Sequence, residues 1–343
     1  MKKDISIGII GFGRLGALAA SILKKEKFDV QVYDPEQNEE LMQKARLIGV
    51  ELVPLAQAAQ NDIVVLAAPI SATEAVIKQI VPLVKPGTLV LDTCSVKIHP
   101  CNWLKENFME EVEILGTHPM FGPVTTKFDL QAQQWELENL QIVLCPLRVS
   151  AKRMDGIKEF LASLGLKVII TTPQEHDRQN AYTLSLVHFV GRALNEVGVK
   201  EQEIFTPGYT DLLRILPHTT SDNWQLFFDM HQYNPYAQDI RKQFIDACLM
   251  LERKIDDIVA AEDEFLHARK TIDKLDTQIL DLLFQRFQYV EIIGKIKKQN
   301  GLPVVDKERE RKIIEQRVKT GKLDKEFIEK FYSLVFAEAY KRQ

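Results

Sequence analysis

Short apolar runs alternate with helical stretches through the first half of the chain. The runs lie at residues 5–10, 30–33, 63–68, 88–91, 112–115, 141–145 and 167–171. Strands that alternate with helices are typical of an α/β domain built on a parallel sheet with helices on both faces. We therefore predict a doubly wound, Rossmann-like α/β domain that ends near Thr172.

After Thr172 the strand-like runs stop, and residues 173–260 follow helical patterns that break at prolines, including Pro217. Their apolar content exceeds what a solvated surface requires, so we predict an all-α domain that packs on the first domain and on a second copy of the chain. Arg214 lies within the apolar run 212–216, where an unpaired charge is costly. Its anionic partner is either an Asp on the helix or a substrate carboxylate, and both remain open.

From residue 263 a helical stripe of apolar residues continues for more than 30 residues. A helix of that length is about 50 Å long, too long for a small domain to cover by itself, so it requires a partner. Arg286 and Lys297 are eleven residues apart, about three turns, and project from one side. They either extend to solvent or form an anion pocket. A loop at 301–306, a helix at 307–319 and a last helix from Asp324 complete the chain.

Composition limits the classes of function. The 343 residues suggest three domains, at 1–172, 173–260 and 261–343, and the net charge of −4 gives no reason to expect nucleic acid or an anionic membrane as a partner. No apolar run reaches the ~18 residues of a membrane span, and no signal-peptide pattern is present, so we expect a cytoplasmic protein. The four cysteines lack metal-ligand spacing. We expect buried, reduced thiols and no metal.

The first apolar run leads directly into a GxGxxG motif at the start of a helix. Its residues are Gly11, Phe12, Gly13, Arg14, Leu15 and Gly16. In this context the glycines permit a tight turn, allow a pyrophosphate to approach the backbone, and let helix and strand pack closely. Asp34 ends the second run, where its carboxylate would bind the adenosine ribose and repel a 2′-phosphate. We predict NAD as the cofactor; a purely structural βαβ unit is the alternative.

Two polar segments, 92–97 and 116–123, follow the runs 88–91 and 112–115. The carboxyl ends of parallel strands meet at one edge of a sheet, so Ser95, Lys97 and His118 should face one crevice. We expect His118 to lie in a loop stiffened by prolines, where its side chain exchanges a proton near neutral pH. A structural histidine is the alternative, and the dinucleotide-binding context favours catalysis.

Residues 1 to about 260 resemble the prephenate/arogenate dehydrogenases of tyrosine biosynthesis, and the plant-type branch most closely. The motifs are GFGRLG (11–16), DTCSVK (92–97), GTHPMFGP (116–123), EHD (175–177) and GYTDLLRI (208–215). The resemblance implies that His118 accepts the ring-hydroxyl proton of prephenate while hydride passes to NAD and CO₂ leaves. It also implies that Ser95 hydrogen-bonds the same region and that Arg214 binds the side-chain carboxylate. Lys97 and His188 match motif positions without an assigned role.

Residues 262–343 resemble the all-helical chorismate mutases. The matching polar positions are Arg269, Arg286, Lys297, Asp306, Arg309, Glu310 and Gln343. The resemblance implies a pericyclic rearrangement of chorismate to prephenate, which needs positioning and electrostatic stabilisation but no nucleophile or base. It implies that the three arginines hold carboxylates and that Lys297 and Gln343 face the breaking ether oxygen. Glu310 and the Asp306 region would bind the ring hydroxyl.

Two positions depart from these families. Leu213 precedes Arg214 where the bacterial dehydrogenases have Thr, and Ala339 stands where the mutases usually have Ser. The combined expectation is a homodimeric, bifunctional enzyme that converts chorismate to prephenate and prephenate to 4-hydroxyphenylpyruvate with NAD. Two alternatives remain: a preference for arogenate, and a C-terminal domain that binds an effector and dimerises without catalysis. The charged residues retained at the mutase positions argue against the latter.

Overall fold

A computed structural model describes residues 5–36, 38–123, 126–129, 134–260 and 264–342 of the chain. Their contacts group into two units, Met1–Ala247 and Cys248–Gln343. The first unit contains the predicted sheet and most of the helices that follow it, and the second is helical. None of the helices in these described ranges combines the length and the apolar content that crossing a membrane requires.

An eight-stranded sheet forms the centre of the first unit, in the order β10-β9-β6-β5-β4-β1-β2-β3. The strands of this unit are β1 (Ser6–Ile10), β2 (Asp29–Tyr33), β3 (Glu51–Leu52), β4 (Ile63–Leu66), β5 (Leu89–Asp92), β6 (Glu113–Pro119), β7 (Phe128–Asp129), β8 (Gln134–Trp135), β9 (Gln141–Arg148) and β10 (Lys167–Ile170). Within the eight-stranded sheet, neighbouring strands are parallel except that β9 runs antiparallel to β6, while β7 and β8 form a separate antiparallel pair. The expectation of a purely parallel sheet is therefore wrong on this side, while the Rossmann-like α/β class is confirmed.

Both faces of the sheet are covered, because alternate residues of its strands enter different apolar clusters. Val64 and Leu66 pack in one cluster, and Val65 between them packs in another. Burial on both faces explains why the sequence shows continuous apolar runs. The helices of this part are α1 (Arg14–Lys25), α2 (Glu39–Ile48), α3 (Leu55–Ala58), α4 (Ile70–Ile80), α5 (Ile98–Asn107) and α6 (Ala151–Ser163).

The chain then becomes helical, as predicted. The elements are α7 (Pro173–Asn180), a π-helical segment (Ala181–Leu186), α8 (Val187–Glu196), α9 (Pro207–Thr220), α10 (Trp224–Gln232) and α11 (Ala237–Ala260). The predicted break at Pro217 is wrong, because α9 continues through it to Thr220. Pro217 falls in the last turn, where Thr219 Oγ1 donates to Ile215 O at 3.0 Å and Thr220 Oγ1 donates to Leu216 O at 2.7 Å. Both hydroxyls donate to the carbonyl four residues back, a contact that threonine side chains make within helices.

The second unit contains one long helix and two shorter ones: α12 (Glu264–Gln299), α13 (Lys307–Val318) and α14 (Lys325–Lys341). The 36 residues of α12 correspond to about 54 Å, so the predicted single helix is confirmed. Large apolar side chains along α12 remain exposed: Ile272, Leu275, Ile279, Leu280, Leu282, Phe284, Tyr289, Ile292, Ile293 and Ile296. One copy of this unit therefore leaves the predicted stripe uncovered.

Candidate active sites

The glycine-rich turn between β1 and α1 has the geometry expected of a phosphate-binding turn. Gly11 adopts φ +101°, and a Cβ there would lie 2.5 Å from Ala67 O, so only glycine fits. A Cβ on Gly16 would lie 2.0 Å from Gly11 O, which shows how closely helix and turn pack. Space is open in front of Gly13, where a Cβ would meet no atom of the described chain within 4 Å. The turn and the N-terminus of α1 thus fit a pyrophosphate.

Asp34 lies beside this turn, as its position at the end of β2 predicts. Its Oδ2 accepts a hydrogen bond from Phe12 N at 2.7 Å, and its Oδ1 accepts one from Glu36 N at 3.0 Å. Each carboxylate oxygen retains a lone pair, since an ionised carboxylate offers about four acceptor sites. The half-buried carboxylate is therefore fixed in direction and still able to accept from a ribose.

The other side chains of the motif have partners within the first unit. Arg14 NH1 donates to Ser221 O at 3.0 Å and lies 3.3 Å from Asp222 Oδ1, so it links the turn to the start of α10. Leu15 lines an apolar cavity of about 180 Å³ together with Leu18. The structure therefore gives both side chains a packing or pairing role that the motif alone does not specify.

His118 lies in β6 and not in a loop, which corrects the sequence-based expectation. It pairs in register with Val143 of β9, and its side chain is only 6% exposed. The sequence suggested a loop because proline and glycine surround this residue. The antiparallel partner β9 extends β6 as far as Pro119, since an edge proline is tolerated at a strand end.

A chain of hydrogen bonds connects His118 to helix α7. His118 Nδ1 lies 2.9 Å from His176 Nε2, and His176 Nδ1 lies 2.7 Å from Asp177 Oδ1. Asp177 also accepts from the backbone amides of Lys97 at 2.7 Å and Ile98 at 2.9 Å, at the N-terminus of α5. Burial, and then the charges of His176 and Lys97, hold the pKa of His118 well below its usual value. His118 is therefore neutral at neutral pH.

Lys97 forms a fully buried ion pair with Asp92 directly beside this chain. Lys97 Nζ also donates to Thr117 O at 2.6 Å, and Thr117 Oγ1 donates to Asp92 O at 2.5 Å. Burial lowers the pKa of Lys97 and the charge of Asp92 raises it, with a net rise, so the lysine stays charged. The pair fixes the ends of β5 and β6, and with them the backbone at His118.

Ser95 is held by its backbone, while its side chain lacks a partner. Asn180 Nδ2 donates to Ser95 O at 2.6 Å. The buried Ser95 Oγ has no hydrogen-bond partner among the described residues. A buried hydroxyl without a partner is costly, so this atom fits contact with a ligand. Cys94, next to it, is inert because burial raises the pKa of its thiol to about 12.

A second group of polar side chains surrounds Asp222, just before α10. His188 Nε2 lies 3.9 Å from Asp222 Oδ2, and Arg192 NH2 donates to Asp222 O at 2.7 Å. The Arg192 guanidinium stacks over the Trp224 ring at 4.0 Å. Burial lowers the pKa of His188 more than the charge of Asp222 raises it, which favours the neutral ring.

The second unit contains its own polar set. The guanidinium of Arg286 lies over the rings of Phe287 and Phe336, and its NH1 is buried without a partner in the described part of the chain. Burial lowers the pKa of this arginine, although the side chain keeps its charge. The Tyr340 hydroxyl is also buried without a partner among these residues. A buried charged donor without a partner is costly, so this atom fits contact with an anionic ligand.

Lys297, Asp306 and Glu310 surround the loop between α12 and α13. Lys297 Nζ donates to Val304 O at 2.7 Å, and Glu310 Oε2 lies 3.3 Å from Lys307 Nζ. Asp306 is the N-cap of α13, since its Oδ1 accepts from Arg309 N at 2.9 Å. The cap is a structural role that the sequence analysis did not assign.

Comparison with known families follows this division. A family model described as the prephenate dehydrogenase nucleotide-binding domain matches residues 19–170, and one described as chorismate mutase type II matches residues 268–343. The chain carries both domains. A third family model, described as TYRAAT1-like, C-terminal domain, matches residues 193–264, between the dehydrogenase and mutase matches.

Individual proteins show the same similarity. The chain is 32% identical over 276 residues to a probable arogenate/prephenate dehydrogenase of Methanocaldococcus jannaschii, covering 76% of this chain and 58% of that protein. It is 28% identical to arogenate dehydrogenase 1 of Arabidopsis thaliana over 70% of this chain and 37% of that protein. The chain thus spans about two fifths to three fifths of the length of these relatives.

Prephenate dehydrogenase of Aquifex aeolicus, solved with hydroxyphenyl propionate and NAD⁺, has a similar fold. The TM-score is 0.58 at 21% identity, over 80% of this chain and 98% of that chain. This similarity shows the fold of the dehydrogenase part alone.

The dehydrogenase domain brings Ser95, Lys97 and His118 to the carboxyl edge of the sheet. Lys97, however, is fully buried in its pair with Asp92 and does not face a crevice, contrary to the prediction. Arg214 does not join this group. The apolar run 212–216 predicted an apolar setting for Arg214. Its side chain is instead 73% exposed and pairs with Asp211 on the same helix at 2.8 Å. The apolar neighbours point to other sides of α9, so the run 212–216 does not surround the arginine.

The mutase domain leaves Arg269 and Arg309 exposed and Ala339 buried. Gln343 lies outside the described residues. Cys248 is exposed, so the expectation of four buried thiols is wrong for this one. His176, Asp177 and Asn180 are functional candidates that the sequence pattern did not predict. Their signal was the EHD motif at the start of a helix, which places an acidic and a basic group next to each other.

Proposed function

We propose that this chain is a bifunctional enzyme that rearranges chorismate to prephenate and oxidatively decarboxylates prephenate to 4-hydroxyphenylpyruvate with NAD. The main support for the dehydrogenase activity is His118, which is buried and neutral. It lies at the same edge of the sheet as the glycine-rich turn. The two matched domains support the pairing of activities. We also propose the domain boundaries 1–172, 173–260 and 261–343, and a cytoplasmic location.

In the dehydrogenase reaction, NAD bound at the turn would accept the hydride. His118 would take the proton of the ring hydroxyl as the hydride leaves the carbon that bears this hydroxyl. This proton transfer is general-base catalysis. Ser95 Oγ, which has no protein partner among the described residues, would hydrogen-bond the same hydroxyl region. Loss of the ring carboxylate as CO₂ makes the ring aromatic and the step effectively irreversible. Arg214 remains a proposed ligand of the side-chain carboxylate, on the resemblance alone.

We propose Asp34 as the residue that selects NAD over NADP, and the turn residues 11–16 as the cofactor site. The two backbone amides fix the Asp34 carboxylate beside the turn, where it would repel a 2′-phosphate. We expect Asp34→Ala to narrow the wild-type preference for NAD, measured as the ratio of kcat/KM for the two cofactors. Asp29→Ala, at the exposed start of β2, is the matched control. Equal use of both cofactors by the wild type would contradict this assignment.

In the mutase reaction, we propose that Arg286 binds a carboxylate and that Lys297 faces the breaking ether oxygen of chorismate. The buried, unpartnered NH1 of Arg286 supports an anionic ligand. Arg269 and Arg309 would bind carboxylates, Glu310 and the Asp306 region the ring hydroxyl, and Gln343 the ether oxygen. Because this rearrangement needs no proton transfer, the charges act by positioning and electrostatic stabilisation.

We further propose that the mutase domain works as a homodimer. The apolar side chains exposed along α12 need cover, and a second copy of the same helix supplies it. A second copy also brings the Arg269 of one chain within reach of the other chain's Arg286, which lies 17 residues further along the helix.

Arogenate is the second candidate substrate of the dehydrogenase, because the Arabidopsis relative is named an arogenate dehydrogenase. Arogenate carries an amine where prephenate has a keto group, and an amine favours an acidic acceptor. Asp222 is the carboxylate beside His188. We expect Asp222→Asn to lower kcat/KM for arogenate relative to prephenate, measured with both substrates. An unchanged ratio would remove Asp222 from substrate selection.

One experiment tests the proposed function as a whole. The purified protein is given chorismate with and without NAD, and prephenate and NADH are followed over time. We expect prephenate to form in both cases and NADH to form only when NAD is present, after a lag. If prephenate accumulates in the presence of NAD and no NADH forms, the protein has mutase activity and the dehydrogenase activity is excluded. A rate of prephenate formation equal to the rate without protein would exclude mutase activity.

A further inference from the structure

The Asp177 carboxylate determines where the protons lie in the hydrogen-bond chain Asp177–His176–His118. An ionised carboxylate only accepts hydrogen bonds, so the ring nitrogen that faces Asp177, His176 Nδ1, carries a proton. Two backbone amides at the start of α5 also donate to Asp177, and amide donors favour the ionised form of a carboxylate. The first proton of the chain is therefore fixed.

The second proton follows from the neutrality of His176. Burial lowers the pKa of His176 more than its hydrogen bond to Asp177 raises it. A neutral ring with a proton on Nδ1 has a lone pair on Nε2. His118 Nδ1 lies 2.9 Å from that nitrogen, so it is the donor. His118 is then left with a lone pair on Nε2.

We propose that His176 and Asp177 are positioning residues that fix the His118 tautomer with its proton on Nδ1 and leave Nε2 as the proton-accepting atom. The catalytic consequence rests on the proposed dehydrogenase function, while the tautomer itself does not. In the other tautomer His118 Nε2 would carry a proton and could not act as a base. The arrangement orients a base through a second group, as a carboxylate does in a hydrolase triad.

The charges around His118 agree with this role. From β5 and α5, the buried pair Asp92–Lys97 places opposite charges next to one another. From β9, the residue in register with His118 is the apolar Val143. From α7, the Asp177 carboxylate faces His118 through the His176 ring. Burial and the Lys97 charge keep the resting base neutral, and the Asp177 carboxylate, acting through the His176 ring, would offset part of this cost when the imidazolium forms.

We expect Asp177→Asn to lower the dehydrogenase kcat by between about 10-fold and 10²-fold with little change in KM. In either orientation the Asn NH2 would face a backbone amide donor, Lys97 N or Ile98 N, so the variant loses the ionised acceptor that holds the proton on His176 Nδ1. His118 is then no longer fixed with its proton on Nδ1. His176→Gln keeps an acceptor near the position of Nε2, so its loss should be several-fold smaller. Glu175→Gln, on the exposed neighbouring residue, is the matched control and should retain the wild-type rate. Equal rates in Asp177→Asn and Glu175→Gln would overturn the proposal.

Nitrogen-15 NMR of histidine-labelled full-length protein tests the tautomer without substrate. The His118 resonances are assigned with His118→Asn, and NAD affinity shows that the first unit of each variant is folded. We expect the wild type to carry the proton on Nδ1 of both rings and Asp177→Asn to lose this single tautomer at His118. A wild-type His118 protonated on Nε2 would overturn the proposal. The expected tautomers in a protein that does not oxidise prephenate would support the proposal and overturn the proposed function instead.

Discussion

Replacement of His118 by Asn is expected to lower the dehydrogenase kcat by at least 10²-fold, and by up to about 10⁴-fold, the range of general-base catalysis. The mutase rate should remain near wild type, because His118 lies in the first unit and the mutase residues lie in the second. Asn has no basic nitrogen, so the hydroxyl proton of prephenate would have no acceptor. Rates of NADH formation and of chorismate loss on the same preparation measure both effects.

The pH profile of the wild type provides a second measurement for the same base. The base must be neutral to act, and the pKa of His118 is lowered well below 6.5. Dehydrogenase activity should therefore be kept as the pH falls through 6.5 and be lost only below that value. His99→Asn is the control for the pH profile, since His99 packs against Trp103 and Tyr233 outside the hydrogen-bond chain.

In the His118→Asn variant itself, a parallel fall of the dehydrogenase and mutase rates would show that the two sites are coupled.

Mixing two inactive mutase variants, Arg269→Ala and Lys297→Ala, is expected to restore activity when their subunits exchange. The two arginines, Arg269 and Arg286, are separated by 17 residues on α12, about 25 Å along the axis. Chorismate is shorter than ~10 Å by ordinary bond lengths. One helix therefore cannot bring both guanidiniums to one substrate. If both arginines bind chorismate, as proposed, Arg269 must come from the second chain.

Each mixed dimer would contain one site with both defects and one site with neither. Mutase activity should then return to at most about half of the wild-type value per mixed dimer, as expected for sites shared between two chains. Either variant mixed with itself is the control and should stay inactive. Subunit exchange is followed independently with differently tagged chains. No recovery despite exchange would mean that Arg269 acts in its own chain's site or in none.

The sequence was sufficient for elements that depend on local pattern. The β1–turn–α1 unit, the strand ending at Asp34 and the continuous helix α12 all follow from apolar periodicity and glycine spacing. Such features involve neighbours in the chain, whose geometry the residue types largely set. The candidate dehydrogenase residues Ser95 and His118 were also located, because strand ends of a sheet converge on one edge.

The remaining features depend on contacts between distant segments. His118 is in a strand because β9, about 25 residues later, pairs with it. Arg214 is exposed because α9 turns it away from its apolar neighbours. The link from His118 to Asp177 joins residues 59 positions apart in the sequence. Neither periodicity nor composition carries information about such pairs, so the sequence alone gave no role to the EHD motif.

The π-helical segment between α7 and α8 sets the phase between two groups of side chains. A π-helix turns less per residue than an α-helix, so side chains after it are rotated relative to an uninterrupted helix. His176, Asp177 and Asn180 precede the segment and contact the ends of β5 and β6, while His188 and Arg192 follow it and contact Asp222. The six residues 181–186 thus set the angle between the group around His118 and the group around Asp222. We expect substitutions in the segment to change the spacing of these two groups without replacing a residue of either one.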